Sequence, residues 1–353
     1  MRTIDGEVVL PGPRLREIAQ RILEAAGASR KGALLAADAM VAANLRGVDS
    51  HGVQLLPAYV KQIETGNIDA RAEGRPVSES GATMVYDGEN ALGHVVSDIC
   101  CAHAARLARS HGLGMVVARN SNHFGAAAYW AQKLTSEGMI GIVMCNASPR
   151  VPPWQGKEGR LGTNPLCVAL PVEPPDAWLL DMATTTVAAN KIYNLAAKGV
   201  HSIPPGWAMD IEGVPTTDAQ AAIQGLLMPL GGYKGSGLAM MVEILCAVLS
   251  GGAMSTEVGG LYITGRRSGA SQMFLAIEAG RFLPPEEFAA RVRRLVAHAK
   301  SAAPAKGYDE VLVAGDPEWR TEQRRLREGI PLAPEIYENI TALATRLGVA
   351  VGD

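Results

Sequence analysis

From about Arg75 onward the chain abandons helical spacing and breaks into apolar runs of strand length, each closed by glycine, proline, asparagine or aspartate. The runs are ATMVYDGENALGH, GMVVAR, MIGIVMCNA, NPLCVALPV and AWLLDMA, with helical stretches at Val95 to Ser110 and Ala126 to Ser136. Helices do not separate every pair of strands, so a strict doubly wound repeat is excluded. The pattern predicts a mixed α/β sheet region over 76–311. Ahead of it, residues 1–75 read as three helices. Pro13 opens the first and Gly27 follows its end, Ser29 caps a second that runs to Leu45, and a third follows Ser50. The tail is helical over Pro284 to Ala299 and Pro317 to Gly348. Its last segment, 312–353, is expected to pack on the N-terminal unit.

Composition removes several function classes. At 353 residues the chain is long enough for two or three units with a sizeable core. A formal net charge of -2 leaves no basic footprint for nucleic acid or an anionic membrane. Glu7, Pro11 and Pro13 interrupt any leader-like apolar run, and the apolar stretch Leu238 to Leu249 contains Glu243 and is too short to span a bilayer. Five cysteines, with Cys100 and Cys101 adjacent, do not make a disulfide framework, so a reducing cytoplasm is the expected setting.

Chemistry is most concentrated in LRGVDSHGVQLLPAY, Leu45 to Tyr59. Asp49 and Ser50 are good N-caps, and Leu55, Leu56, Tyr59, Val60 and Ile63 recur at helical spacing. His51 is therefore expected in the first turn of a helix, where the positive end of the macrodipole disfavours a protonated ring while Asp49 opposes that effect. A neutral histidine suits proton exchange with a carbonyl or an alcohol. The same pattern also fits a capping or surface histidine.

Four other stretches carry candidate ligands. NSNHFGAAAYW, Asn120 to Trp130, offers Ser121, Asn122 and His123 and then small residues that allow close approach of something flat. GRLGTNPLCVALP groups Arg160, Thr163 and Asn164 in a polar turn, and Arg160 could grip a carboxylate. AWLLDMATTTVAANKI turns from a strand near Asp181 through three threonines into a helix. GGYKGSG is a glycine-rich turn with Lys234 available to phosphate. None of these is a G-x-G-x-x-G fingerprint, so a dinucleotide here would not sit on a Rossmann turn. His94, His103 and His111 lack metal-ligand spacing and no C-x-x-C occurs, so no metal is expected.

The order SHG, SNHFG, GTNP, LDMAT, GGYKG, GDPE and GIPL resembles the malate/L-lactate dehydrogenase family of the non-Rossmann type, which includes ureidoglycolate, sulfolactate and diketogulonate dehydrogenases and cyclic imino-acid reductases. The resemblance implies an α/β fold with a mostly antiparallel or mixed central sheet flanked by helices, in a homodimer. It implies hydride transfer between NAD or NADP and a small 2-oxo or 2-hydroxy acid, with ureidoglycolate or a cyclic imino acid as the alternative substrate. By position, His51 resembles the proton donor or acceptor and Ser50 its relay. His123, Phe124, Gly125 and Ala126 resemble a cofactor loop, with His123 the base in the ureidoglycolate branch. Thr163 and Asn164 resemble substrate contacts. Asp181, Met182, Ala183, Thr184, Thr185, Tyr233, Lys234, Gly315, Asp316 and Glu318 resemble further cofactor contacts. Three positions depart from the family pattern: Leu55 stands where many members carry a carboxylate-gripping arginine, Asn190 where glycine is usual, and Ala314 where proline is common. With Leu55 apolar, either Arg46, Arg150 or Arg160 takes the carboxylate or the substrate differs there. A nucleotide-binding protein without turnover is the competing reading of a different class.

Overall fold

In the computed structural model, which describes residues 2–4, 6–197 and 199–351, a hairpin of β1 (Arg2–Ile4) and β2 (Glu7–Leu10) leads into two long helices. Pro13 occupies the first turn of α1 (Gly12–Ala25), where a missing N–H costs nothing, and Gly27 takes φ +108 just past its end. The Ser29 hydroxyl accepts the Gly32 N–H at 3.1 Å and starts α2 (Arg30–Leu45). Leu15, Ile22, Met40, Leu56 and Tyr59 are all fully enclosed between α1, α2 and α3 (Leu56–Glu64).

The third helix starts later than its sequence suggests. Asp49–His51 forms a separate 3-10 turn and Val53–Leu55 a second, and α3 begins only at Leu56, with Pro57 in its first turn. Gly52 causes the interruption. Its backbone is extended, and a Cβ there would lie 2.3 Å from the Asn44 amide, which accepts the Val53 N–H at 2.9 Å and donates to Asp49 at 2.6 Å. Asp49 and Ser50 therefore do not cap α3, and His51 does not sit on its dipole.

The central region continues through β3 (Arg75–Ser80), β4 (Thr83–Asp87), α4 (Gly93–His111), β5 (Leu113–Ser121), α5 (Ala127–Thr135), β6 (Met139–Cys145), β7 (Leu166–Ala169) and β8 (Leu179–Met182). There follow α6 (Ala189–Ala197), β9 (Ala208–Met209), β10 (Pro215–Thr216), α7 (Ala219–Gln224), β11 (Leu226–Leu227), α8 (Tyr233–Glu243) and β12 (Ala270–Glu278). Among the described residues the main sheet has seven strands in the order β3-β4-β5-β12-β6-β7-β8. Only β4 and β5 run parallel, joined by α4 as the crossover, and every other pair is antiparallel. This is the mostly antiparallel α/β sheet that the resemblance implies.

Strand β12, which the hydropathy pattern does not announce, lies at the middle of the sheet. Phe274 meets Val116 and Val143 under α4 and α5, while its neighbour Met273 meets Val117 and Met144 under the extension of α8. Both faces of β12 are thus covered.

The chain then runs through α9 (Pro285–Lys300), α10 (Asp316–Glu328), β13 (Ile330–Leu332) and α11 (Pro334–Arg346). β13 pairs with β2, α10 lies on α2, and α11 rests on α1 and α3. The end of the chain thereby packs on its beginning.

Candidate active site

The turn that carries His51 is held from two distant parts of the chain. Arg325, near the end of α10, donates through Nη1 to Asp49 Oδ1 at 2.7 Å and through Nη2 to Oδ2 at 3.0 Å. Asn190, at the start of α6, donates to the Ser50 carbonyl at 3.2 Å. The Ser50 hydroxyl lies 2.9 Å from His51 Nδ1, so one ring nitrogen is partnered and the other is left for a substrate.

His123 follows the end of β5 and stacks on His51, with ring centroids 5.7 Å apart and planes 20° from parallel. Its turn is pinned by the Asn122 amide, which donates to the Asn90 and Ala91 carbonyls, and by Gln272 of β12, which donates to the Asn122 carbonyl at 2.9 Å. The Gly125 N–H reaches His123 Nδ1 at 3.3 Å, and a backbone N–H can only donate. Nδ1 is therefore the acceptor, the Tyr59 hydroxyl donates to it at 2.5 Å, and the ring proton is assigned to Nε2. Behind Tyr59 lies the His94 ring, edge-on at 5.2 Å, fully buried with neither nitrogen hydrogen-bonded.

Desolvation sets the charge state here. Burial lowers the His51 pKa to about 4 and the His94 pKa to about 3. Burial also holds His123 well below the ordinary histidine range, and the facing rings of His51 and His94 push it further down. At neutral pH all three imidazoles are uncharged. The neutrality expected of His51 thus arises from burial, not from a helix end.

Beyond His123 the wall continues to Asp181 at the end of β8. The Ala128 N–H donates to Asp181 Oδ2 at 2.9 Å, and Oδ1 accepts no hydrogen bond from the described residues. Surrounding protein lifts the Asp181 carboxyl to about 6, against the pull of the Ala128 N–H and of Arg46 and with a push from Glu318. The residue keeps a solvent-facing surface, where water screens its charge. An acid with an oxygen not bonded by the described residues, after a turn that Gly125 makes at φ +80, fits a nicotinamide dinucleotide, because such an acid suits ribose hydroxyls.

The chain matches the malate/L-lactate dehydrogenase family over residues 11–341. It belongs to that family. Malate dehydrogenase of Pyrococcus horikoshii is 37% identical over 348 residues, 96% of each chain. L-sulfolactate dehydrogenase of Methanocaldococcus jannaschii is 36% identical over 94% of this chain and 95% of that one. The solved structure of the Pyrococcus horikoshii malate dehydrogenase superposes with a TM-score of 0.90 at 35% identity, covering 99% of this chain and 98% of that one. The chain is therefore an oxidoreductase of the dehydrogenase class, with a nicotinamide cofactor and small hydroxy or oxo acids as its chemistry.

The remaining family positions fall into groups. The Thr184 N–H and hydroxyl both donate to the Thr163 carbonyl, at 2.9 and 3.0 Å, and the Leu230 N–H donates to the Thr184 carbonyl, which stitches three turns together. A Cβ on Gly235 would lie 2.3 Å from Leu230, so the close approach requires glycine. Asn164 is fully enclosed. Its oxygen accepts the Ala147 N–H and its nitrogen donates to Ala239 and Glu243, so its amide holds the turn and leaves nothing for a substrate. The Thr185 hydroxyl donates to the Val187 carbonyl, while Met182 and Ala183 are half-buried between these turns and Asp181. The Phe124 side chain packs in the core against Phe274. Tyr233 and Lys234 are exposed, with Tyr233 edge-on to Trp154. Gly315 abuts Leu179. Asp316 is enclosed and accepts from Lys300 and the Val313 N–H, whereas Glu318 faces Asp181.

Among the three candidate arginines, Arg46 is 8% exposed, 3.6 Å from Glu322, and lies on the Asp181 side. Arg160 is exposed and paired with Glu158. Leu55 is 2% exposed and belongs to the helical core, so its position offers nothing to the cleft. Tyr59 and His94 were legible only as an apolar face and as a histidine without metal spacing. Arg325 gave no signal, because its partner Asp49 lies 276 positions away.

Proposed function

We propose that the chain transfers a hydride between NAD or NADP and a small 2-oxo or 2-hydroxy acid in the cleft walled by His51 and His123. When bound, the nicotinamide ring supplies or takes up the hydride at the substrate carbon. The protein's own task is one proton, delivered to the carbonyl oxygen in reduction and removed from the hydroxyl in oxidation. His51 suits it, being neutral, held through Nδ1 on Ser50, and free at Nε2 to face the substrate oxygen. Ser50 serves as the relay toward solvent. His123, with Nδ1 occupied by Tyr59 and Gly125, keeps Nε2–H as a donor that polarises the same oxygen. Asp181, Met182, Ala183, Thr184 and Thr185 line the cofactor side, together with Gly125, Ala126, Tyr233, Lys234 and Glu318. The observation that carries this reading is the stacked pair of neutral histidines, with an aspartate whose Oδ1 accepts no hydrogen bond from the described residues.

The purified protein should oxidise NADH or NADPH with at least one member of a panel of 2-oxo acids, the 2-oxo counterpart of ureidoglycolate included, and cyclic imines. His51→Ala should lower kcat about a hundredfold or more while NADH still binds in a fluorescence titration. An unimpaired His51→Ala enzyme would move the proton-transfer role to His123. Binding of NADH with no turnover across the panel would favour a nucleotide-binding protein instead.

The assembly we propose is a homodimer, supported by a stripe of Met240, Ile244 and Val248 at helical spacing that is 51%, 49% and 55% exposed. A reducing cytoplasm suits five buried cysteines, all free. No helix among the described residues is long and apolar enough to cross a membrane.

A further inference from the structure

A 2-oxo acid brings a carboxylate into a cleft whose two histidines are neutral, and position 55 is buried in apolar core. We infer that Arg150 grips that carboxylate from the wall opposite His51 and His123; the inference rests on the function proposed above. A run of contacts carries it, and a set of electrostatic neighbours supports it. Along α6, Asn190 holds the Ser50 carbonyl, and Tyr193 lies three residues further on the same helix face. The Tyr193 hydroxyl accepts from Arg150 Nη1, and the guanidinium carbon stands 5.9 Å from the centre of its ring.

From the other side, Gln62 of α3 donates to the Leu261 carbonyl at 2.6 Å and the Ile263 carbonyl at 3.0 Å, pinning Tyr262 against the helix that carries Tyr59. Burial raises the Tyr262 pKa, Tyr193 raises it further and Arg150 lowers it, so Tyr262 lies within electrostatic range of both. Burial raises the pKa of Tyr59, the partner of His123, and the charge of a Tyr262 phenolate would raise it further. The contacts and the electrostatic neighbours start from different histidines and meet at Arg150.

The guanidinium is equipped for the task. One of its five N–H groups goes to Tyr193, and no carboxylate pairs with it among the described residues. A planar fork with free N–H groups matches a carboxylate bidentately. The other cations nearby are engaged elsewhere. Arg46 pairs with Glu322, Arg160 pairs with Glu158, and the Lys191 ammonium sits 5.3 Å from the Trp207 ring, on the side of α6 away from Tyr193.

Arg150→Gln, at an exposed site where folding is not at stake, tests the assignment. KM for pyruvate and oxaloacetate, and Ki for oxalate as a competing dianion, should rise about tenfold to a hundredfold, with kcat within a few-fold of wild type and the NADH Kd unchanged. Arg150→Lys should recover part of the loss. Wild-type KM and oxalate Ki in Arg150→Gln would overturn the inference while leaving the dehydrogenase reading intact. If the wild type turns over no 2-oxo acid, that reading fails on its own. The grip is then decided by calorimetric titration of oxalate into the NADH complex: weaker binding in Arg150→Gln supports it, and equal binding refutes it.

Discussion

His51, His94 and His123 are kept uncharged by enclosure, and that single condition controls both activity and stability with pH. As a base in hydroxy-acid oxidation His51 must be unprotonated. With its pKa near 4, kcat/KM for oxidation should stay flat down to about pH 6 and fall only as pH approaches 4. An inflection at or above the ordinary histidine value of 6.5 in the pH–rate profile would show that the ring is not desolvated. For folding the sign is the same. Below pH 6.5 the unfolded chain takes up protons that the folded chain refuses until about 4 at His51 and about 3 at His94, so stability declines across that window and is level above it. Urea midpoints against pH should trace that decline, and His94→Gln should make it shallower. An unchanged slope in that variant would show that His94 does not contribute. Leu55 belongs to this scale as well. Its apolar character is plain from the sequence, but only its burial explains why: an arginine there would bring an unpaired charge into the core instead of restoring a grip.

At the level of elements, the interruption between α2 and α3 matters most, since it presents His51 on a turn and not on a helix. That turn depends on Arg325. Arg325→Gln should lower kcat/KM about tenfold and Tm by about 2–4 °C, because Asp49 loses both of its contacts with α10. Wild-type kcat/KM in the variant would show that the turn holds itself. Five strands of the main sheet and both helices on one face are legible as short apolar runs alternating with helical periodicity. Strand β12 is not. Ser271 and Gln272 break its apolar run, and because both faces are covered it lacks the alternation that marks a half-solvated strand. Its importance is testable, since Phe274 is wholly enclosed between β5 and β6. Phe274→Ala should cost about 3–5 kcal/mol in denaturant unfolding, and a loss under 1 kcal/mol would mean that the strand tolerates a cavity.

Across the whole molecule, β13 on β2 and α10 on α2 return the C-terminal segment to the helices that flank the His51 turn, so the candidate site draws on both ends of the chain. The exposed stripe on α8 and its extension remains the feature with no covering element inside one chain. Ile244→Glu should convert a dimer to a monomer in light scattering, and an unaltered mass would remove the stripe from the interface. The sequence by itself determined most of the elements, the family and the choice of His51 as a candidate, because periodicity, capping residues and ordered motifs are local and survive without a fold. Tertiary structure alone decided which groups meet: His51 with His123, Asp49 with Arg325, and Tyr59 with His123. Those pairings join segments tens to hundreds of residues apart, and the desolvation that sets their charges exists only once the core has closed around them.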